Sequence, residues 1–137
     1  MTADATARIS ADGLKPAEKP YRLVIRVPGH FAWTEDIDLG LDGYGPVAGA
    51  GGTSKAALIA GDVNGDDVID VRDAAAVYDA RGTAKRSADI NHDGTVDGKD
   101  LTWVVTNYLQ QNSMADRYTD PVKRLHGRTL EYYTDRM

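Results

Sequence analysis

The sequence predicts an α+β chain in which a short β-rich segment precedes two tandem loop–helix repeats. Three observations carry that prediction. Two acidic loops of twelve residues, Asp62 to Asp73 and Asp89 to Asp100, recur at an offset of 27. Apolar residues at helical spacing follow each loop. Upstream, Tyr21, Leu23, Ile25 and Val27 alternate with Arg22 and Arg26, the period-two signature of a strand with one buried face.

In chain order, residues 1–19 are polar and mixed, and read as a linker or N-terminal extension. Residues 20–60 form the β-rich segment. Pro28-Gly29-His30 marks a turn after the first strand. Phe31 and Trp33, then Ile37, Leu39 and Leu41, alternate enough for one or two more strands. The two aromatic residues suit a buried or interface role better than a sugar platform. Asp42 to Ser54, with five glycines and Pro46, reads as a flexible loop, and Lys55 to Ala60 as a short strand or turn.

Residues 61–112 hold the repeats. Val71, Ala74, Ala75, Val77 and Tyr78 predict a first helix over 71–80 that Gly82 stops. Its alanines imply a bulky neighbour. A short connecting helix is expected near Ala84–Ser87. Leu101, Val104, Val105, Tyr108 and Leu109 predict a second helix over 98–111. Trp103 falls beside that stripe, as core (the preferred reading) or as an exposed partner anchor. Residues 113–137 are basic and aromatic. They suit a strap across the acidic repeats, a partner arm or a disordered tail equally well.

The two loops point to a metal. In each, oxygen-bearing side chains stand at positions 1, 3, 5, 9 and 12: Asp62, Asn64, Asp66, Asp70 and Asp73, then Asp89, Asn91, Asp93, Asp97 and Asp100. Position 7 (Val68, Thr95) would add its backbone carbonyl. Calcium is a hard cation that takes about six to eight oxygens, and a loop winding around it turns every second residue inward. The last ligand must come from the first turn of the next helix, where a carboxylate also suits the helix dipole. Apolar Ile69 and Val96 at position 8 predict a short β contact between the two loops.

Charge agrees with this reading. The first loop holds five Asp and one Arg, net −4, and the second four Asp and one Lys, net −3, within a chain of net −5. Two bound Ca²⁺ would therefore neutralise much of the acidity, which points away from nucleic acid as a partner. With 137 residues, 42% apolar and 27% charged, the chain suits one or two small globular domains. No apolar run nears the roughly 20 residues that span a bilayer.

Gly61-Asp62-Val63-Asn64-Gly65-Asp66 and Ala88-Asp89-Ile90-Asn91-His92-Asp93-Gly94 resemble a dockerin module, over about 61–112. Aspartate at position 12 of both loops, and no entering helix before either, favour that resemblance over a calmodulin-like sensor. It implies two calcium ions, a non-catalytic docking role, and a cohesin-like partner met through loop positions 10 and 11 (Val71-Arg72, Gly98-Lys99) and Trp103. It also implies a secreted or cell-surface parent, often a polysaccharide-degrading enzyme. The chain is then read as a mature piece, because Met1–Ala5 lacks the basic start and apolar core of a signal peptide. Residues 20–60 weakly resemble part of a β-sandwich module.

Two departures stand out. Asp67 replaces the usual glycine at position 6, where positive φ is needed, so weaker binding is expected in the first loop. Positions 10 and 11 differ between repeats, which counts against a symmetric two-way partner. The alternative is a calcium-stabilised structural module packing on its own β neighbour or another chain. His30, His92 and His126 are scattered, and no nucleophile has an evident base, so no catalytic constellation is read.

Overall fold

The computed structural model describes residues 21–37, 58–117 and 119–137. Its elements are β1 (Tyr21–Ile25), β2 (Trp33–Ile37), α1 (Val71–Ala80), α2 (Gly98–Thr106) and α3 (Leu130–Thr134). β1 and β2 pair antiparallel, with Leu23 opposite Glu35. Tyr21, Leu23 and Ile25 face the half-buried side of β1, as its alternation requires. Among the described residues the sheet has two strands; Leu39 and Leu41 lie outside them, as do residues 1–19 and most of 42–60.

The turn between the strands drives into the helical unit. Phe31 is buried in the same apolar cluster as Ile69, Val77, Ile90, Val104 and Tyr133. Its N–H donates to the Ile59 carbonyl at 2.8 Å, and Gly61 N–H donates to the Gly29 carbonyl at 2.8 Å. Gly29 has φ +77, and a Cβ there would stand 2.8 Å from the Ser87 carbonyl oxygen, so the turn tolerates no side chain. Phe31 and Trp33 are both buried, at 3% and 7% exposure, which removes them as a sugar platform.

α1 has the predicted bounds. Asp70 caps it, and Asp73 closes a reciprocal capping box; Asp97 and Asp100 do the same for α2. α2 is shorter than expected. Beyond Thr106 the chain is claimed by the first loop: Leu109 N–H donates to the Ile69 carbonyl at 2.7 Å, and Ile69 N–H to the Gln110 carbonyl at 2.9 Å. The expected helix at 84–87 is a turn, closed by Ala88 N–H on the Lys85 carbonyl at 2.9 Å.

The predicted β contact between the two loops is replaced by a crossed arrangement. Val96 N–H donates to the Thr83 carbonyl at 2.8 Å and Gly82 N–H to the Val96 carbonyl at 2.9 Å. Each position-8 residue thus pairs with the segment beyond the other repeat's helix, while Ile69 and Val96 themselves are buried as expected. These two bonds and the two made by Ile69 interconvert when the repeats are exchanged, Gly82 and Thr83 for Leu109 and Gln110 and Val96 for Ile69, a pseudo-twofold relation.

Backbone strain obeys the same symmetry. Positive φ occurs at Gly65 (75) and His92 (57), Asp67 (65) and Gly94 (94), Gly82 (74) and Leu109 (67). Each pair contains one glycine and one residue that must bear the left-handed conformation. A Cβ at Gly65 meets nothing within 4 Å, so a substitution there tests the backbone alone. Gly65→Ala is expected to cost about 1 kcal/mol, and His92→Gly to gain somewhat less, in urea melts at saturating calcium.

The C-terminal segment is part of the packing. Tyr133 is 3% exposed, and its ring meets Tyr78 of α1 edge-on at 5.6 Å. Val71 N–H donates to the Val122 carbonyl at 3.1 Å. The bulky neighbour implied by the alanines of α1 is therefore aromatic and comes from α3.

Candidate metal centre

Each loop is wound around its own carboxylates. Asp62 accepts the N–H groups of Gly65 (2.8 Å), Asp66 (3.1 Å) and Asp67 (3.1 Å). Asp89 accepts those of Asp93 (3.1 Å) and Gly94 (2.9 Å). Asn64 and Asp66 bond each other and the backbone at Asp66 and Val68, and Asn91 and Asp93 repeat the pattern at Asp93 and Thr95. The helix-borne carboxylate closes each ring. Asp73 accepts from Val63 (2.8 Å), Asn64 (3.2 Å) and Asp70 (2.9 Å), and Asp100 from Ile90 (2.8 Å), Asn91 (3.1 Å) and Asp97 (2.8 Å).

Four of these carboxylates, Asp62, Asp73, Asp89 and Asp100, are buried. Among the described residues none of the four pairs with Lys, Arg or His. Backbone N–H groups partly compensate such charges, yet a buried anion without a counter-cation is costly. Burial pushes the Asp73 carboxyl from 3.8 up to about 7, against the pull of its three N–H donors and with the Asp62 charge adding to the rise. Burial likewise raises Asp62 to about 6, helped by the Asp66 charge.

A hard cation fits this donor set, which is all oxygen. Val68 is 0% exposed, yet its carbonyl accepts no hydrogen bond among the described residues; the Thr95 carbonyl at the equivalent position also accepts none, but Thr95 is exposed. An unpaired buried carbonyl is rare unless something else satisfies it. As they stand, no three His, Cys, Asp or Glu side chains of the described residues converge to hold an ion. Binding would replace the Asn64–Asp66 and Asn91–Asp93 contacts with oxygen–cation contacts.

The sign of the pH effect follows. Carboxyls with pKa raised on folding make the folded, ion-free chain bind protons more tightly than the unfolded chain. The contribution of these two carboxyls to ion-free stability is therefore fully present in acid and is lost as pH climbs from about 4 to about 7. Cation binding must displace those protons, so affinity at the first loop is expected to fall by about tenfold per proton per pH unit below pH 6. Calorimetric titrations at pH 5, 6, 7 and 8 check this.

The expected partner residues separate in space. Val71 is 0% exposed, sealed beneath Val122, and its side chain is not available to a partner. Arg72 is turned onto Asp66 and Asp70. Gly98 and Lys99 lie on the exposed side of α2. Trp103 is 45% exposed, which overturns the preference for a core position: it points off the helix while Leu101 and Val104 fill the interior.

Two features were not legible in the sequence. Buried Asn112 donates to the Ala32 carbonyl at 2.9 Å and to Asp67 Oδ1 at 2.8 Å, joining the β turn to the first loop. That gives the aspartate at position 6 a partner glycine could not have. The fold also stacks two of the scattered histidines, His30 and His92, with centroids 6.0 Å apart.

Residues 60–110 match the family model of the dockerin type I domain. No curated protein and no solved structure matches the chain.

Proposed function

We infer, from the match of residues 60–110 to the dockerin type I domain, that the chain is a non-catalytic module for calcium-dependent protein–protein docking. Dockerin domains generally bind calcium, and the oxygen-only loops are suited to it. We read one ion per loop, held by Asp62, Asn64, Asp66, Val68, Asp70 and Asp73, and by Asp89, Asn91, Asp93, Thr95, Asp97 and Asp100. The ions supply charge compensation and hold the loops; the chain's own residues present the surface. The partner is read as a cohesin-type module, and the parent as a secreted or surface protein acting on polysaccharide.

One observation carries the docking reading: the outer face of α2. Lys99, Thr102, Trp103 and Thr106 recur at helical spacing and are all exposed. A tryptophan 45% open to solvent beside a lysine is a typical interface anchor. The structural alternative also has an observation behind it, since Gly29, Phe31 and Ala32 pack on the loops. That contact leaves the α2 face open, so packing in cis and docking in trans use different surfaces.

The test is calorimetry of the chain against a panel of cohesin modules. Binding is expected in calcium and not in EGTA, and Trp103→Ala is expected to weaken it by about thirtyfold or more. Failure to bind any cohesin in calcium, with the fold intact, would leave the structural reading.

A further inference from the structure

The two loops share most of their hydrogen bonds and differ most at position 9. Asp97 caps α2 through backbone N–H groups and, among the described residues, takes no side-chain partner. Asp70 makes the same cap to the Arg72 N–H at 2.7 Å, and its carboxylate is also gripped by the Arg72 side chain. Arg72 Nε lies 3.1 and 3.0 Å from its two oxygens and Nη2 2.7 Å from Oδ2. The Val122 N–H donates to the same Oδ2 at 2.7 Å.

Arg72 reaches further. Its Nη2 stands 3.1 Å from Asp66 Oδ2 and donates to Thr119 Oγ1 at 3.3 Å. In the second loop the equivalent contact, Lys99 Nζ to Asp93 Oδ2, is 3.9 Å and largely solvent-exposed. Thus only the first loop has two of its expected oxygen donors already bridged by a cation belonging to the chain. The same bridge fastens residues 119–122, because Val122 holds Asp70 through its N–H and accepts the Val71 N–H at 3.1 Å.

We propose that Arg72 is a built-in competitor of calcium for the first loop, so that filling this loop and seating the C-terminal segment oppose one another. This rests on the calcium reading above. A divalent ion held by Asp66 repels the guanidinium beside it, and recruiting Asp70 strips the Val122 N–H of its acceptor. By linkage, a seated C-terminal segment weakens calcium at the first loop by the same factor. The first loop is then the weaker site, and residues 119–122 loosen only at calcium levels that fill it.

A residue-resolved NMR calcium titration of the whole chain, with hydrogen exchange at the Val71, Val104 and Val122 amides, tests this. The second loop is expected to fill first, at about tenfold lower calcium. As the first fills, Val122 exchange accelerates severalfold while that of Val104 in α2 slows. Arg72→Gln is expected to tighten the first loop by about tenfold and leave the second unchanged. Arg72→Lys, which keeps the charge without the fork, falls between. Both loops filling together with Val122 exchange unchanged, or Arg72→Gln weakening the first loop, overturns the competition alone. No calcium response in either loop overturns the calcium reading with it.

Discussion

Adding EGTA to the calcium-loaded chain is expected to lower its melting temperature by roughly 20 °C or more and to reduce its helical circular dichroism. Each independent site held at a hundred times its dissociation constant adds about 2.7 kcal/mol. Two such sites in a small domain correspond to a shift of that size. The structure gives a reason to expect the upper end. α1 and α2 are short, 10 and 9 residues, and both begin on loop carboxylates. Without ions the loops carry −4 and −3 by their sequence, with Asp62, Asp73, Asp89 and Asp100 buried. An identical spectrum and melting temperature with and without EGTA would remove calcium from the account of this fold.

The second large effect concerns the carboxylate that ends the first loop. Asp73→Ala is expected to destabilise the chain by about 4 kcal/mol even in EGTA. Three N–H groups, those of Val63, Asn64 and Asp70, lose their acceptor, at about 1–3 kcal/mol per buried orphan less what water recovers. The same variant should show no calcium binding at the first loop. Asp73→Asn keeps one oxygen for Val63 and Asn64 but sets an amide N–H₂ against the Asp70 N–H. It should cost roughly half as much while still losing the ion. Urea melts in EGTA and in calcium separate the two contributions. If Asp73→Ala were costly only in calcium, the carboxylate would serve the metal alone and not the loop backbone.

Both predictions rest on residues that amino-acid order alone singles out. The donor schedule at Asp62, Asn64, Asp66 and Asp73, and its copy 27 residues later, is a local property. A loop that must wrap a cation writes its ligands at fixed intervals, and those intervals survive any packing around them. α1 was legible to its last residue because its cap, its apolar spacing and Gly82 all lie within or beside it. α2 was over-extended because what ends it is remote: Ile69, some forty residues upstream, takes Leu109 and Gln110 into its own pairing. Leu109 carries no sign of the positive φ that this demands, although Gly82, its symmetry mate, does.

Local pattern also failed where the competing claims came from distant segments. Trp103 sits beside an apolar stripe, and helical periodicity alone cannot say which side of the stripe borders the core. Val71 and Arg72 fall at positions suited to a partner, yet Val122 and Thr119 meet them first. Asp67 looks like a defect at a glycine position until Asn112 supplies its partner.

By itself, then, the sequence determined the chemistry: two oxygen-lined loops, their helices and the carboxylates that join them, because ligand spacing and capping act within a dozen residues. The tertiary structure decided everything set by long-range pairing, namely the crossed bonds between repeats, the Phe31 turn seated in the core, the exposure of Trp103, and Arg72 and Val122 closing on Asp70. Those choices depend on which segments exclude water together, a condition that no single window of the chain contains.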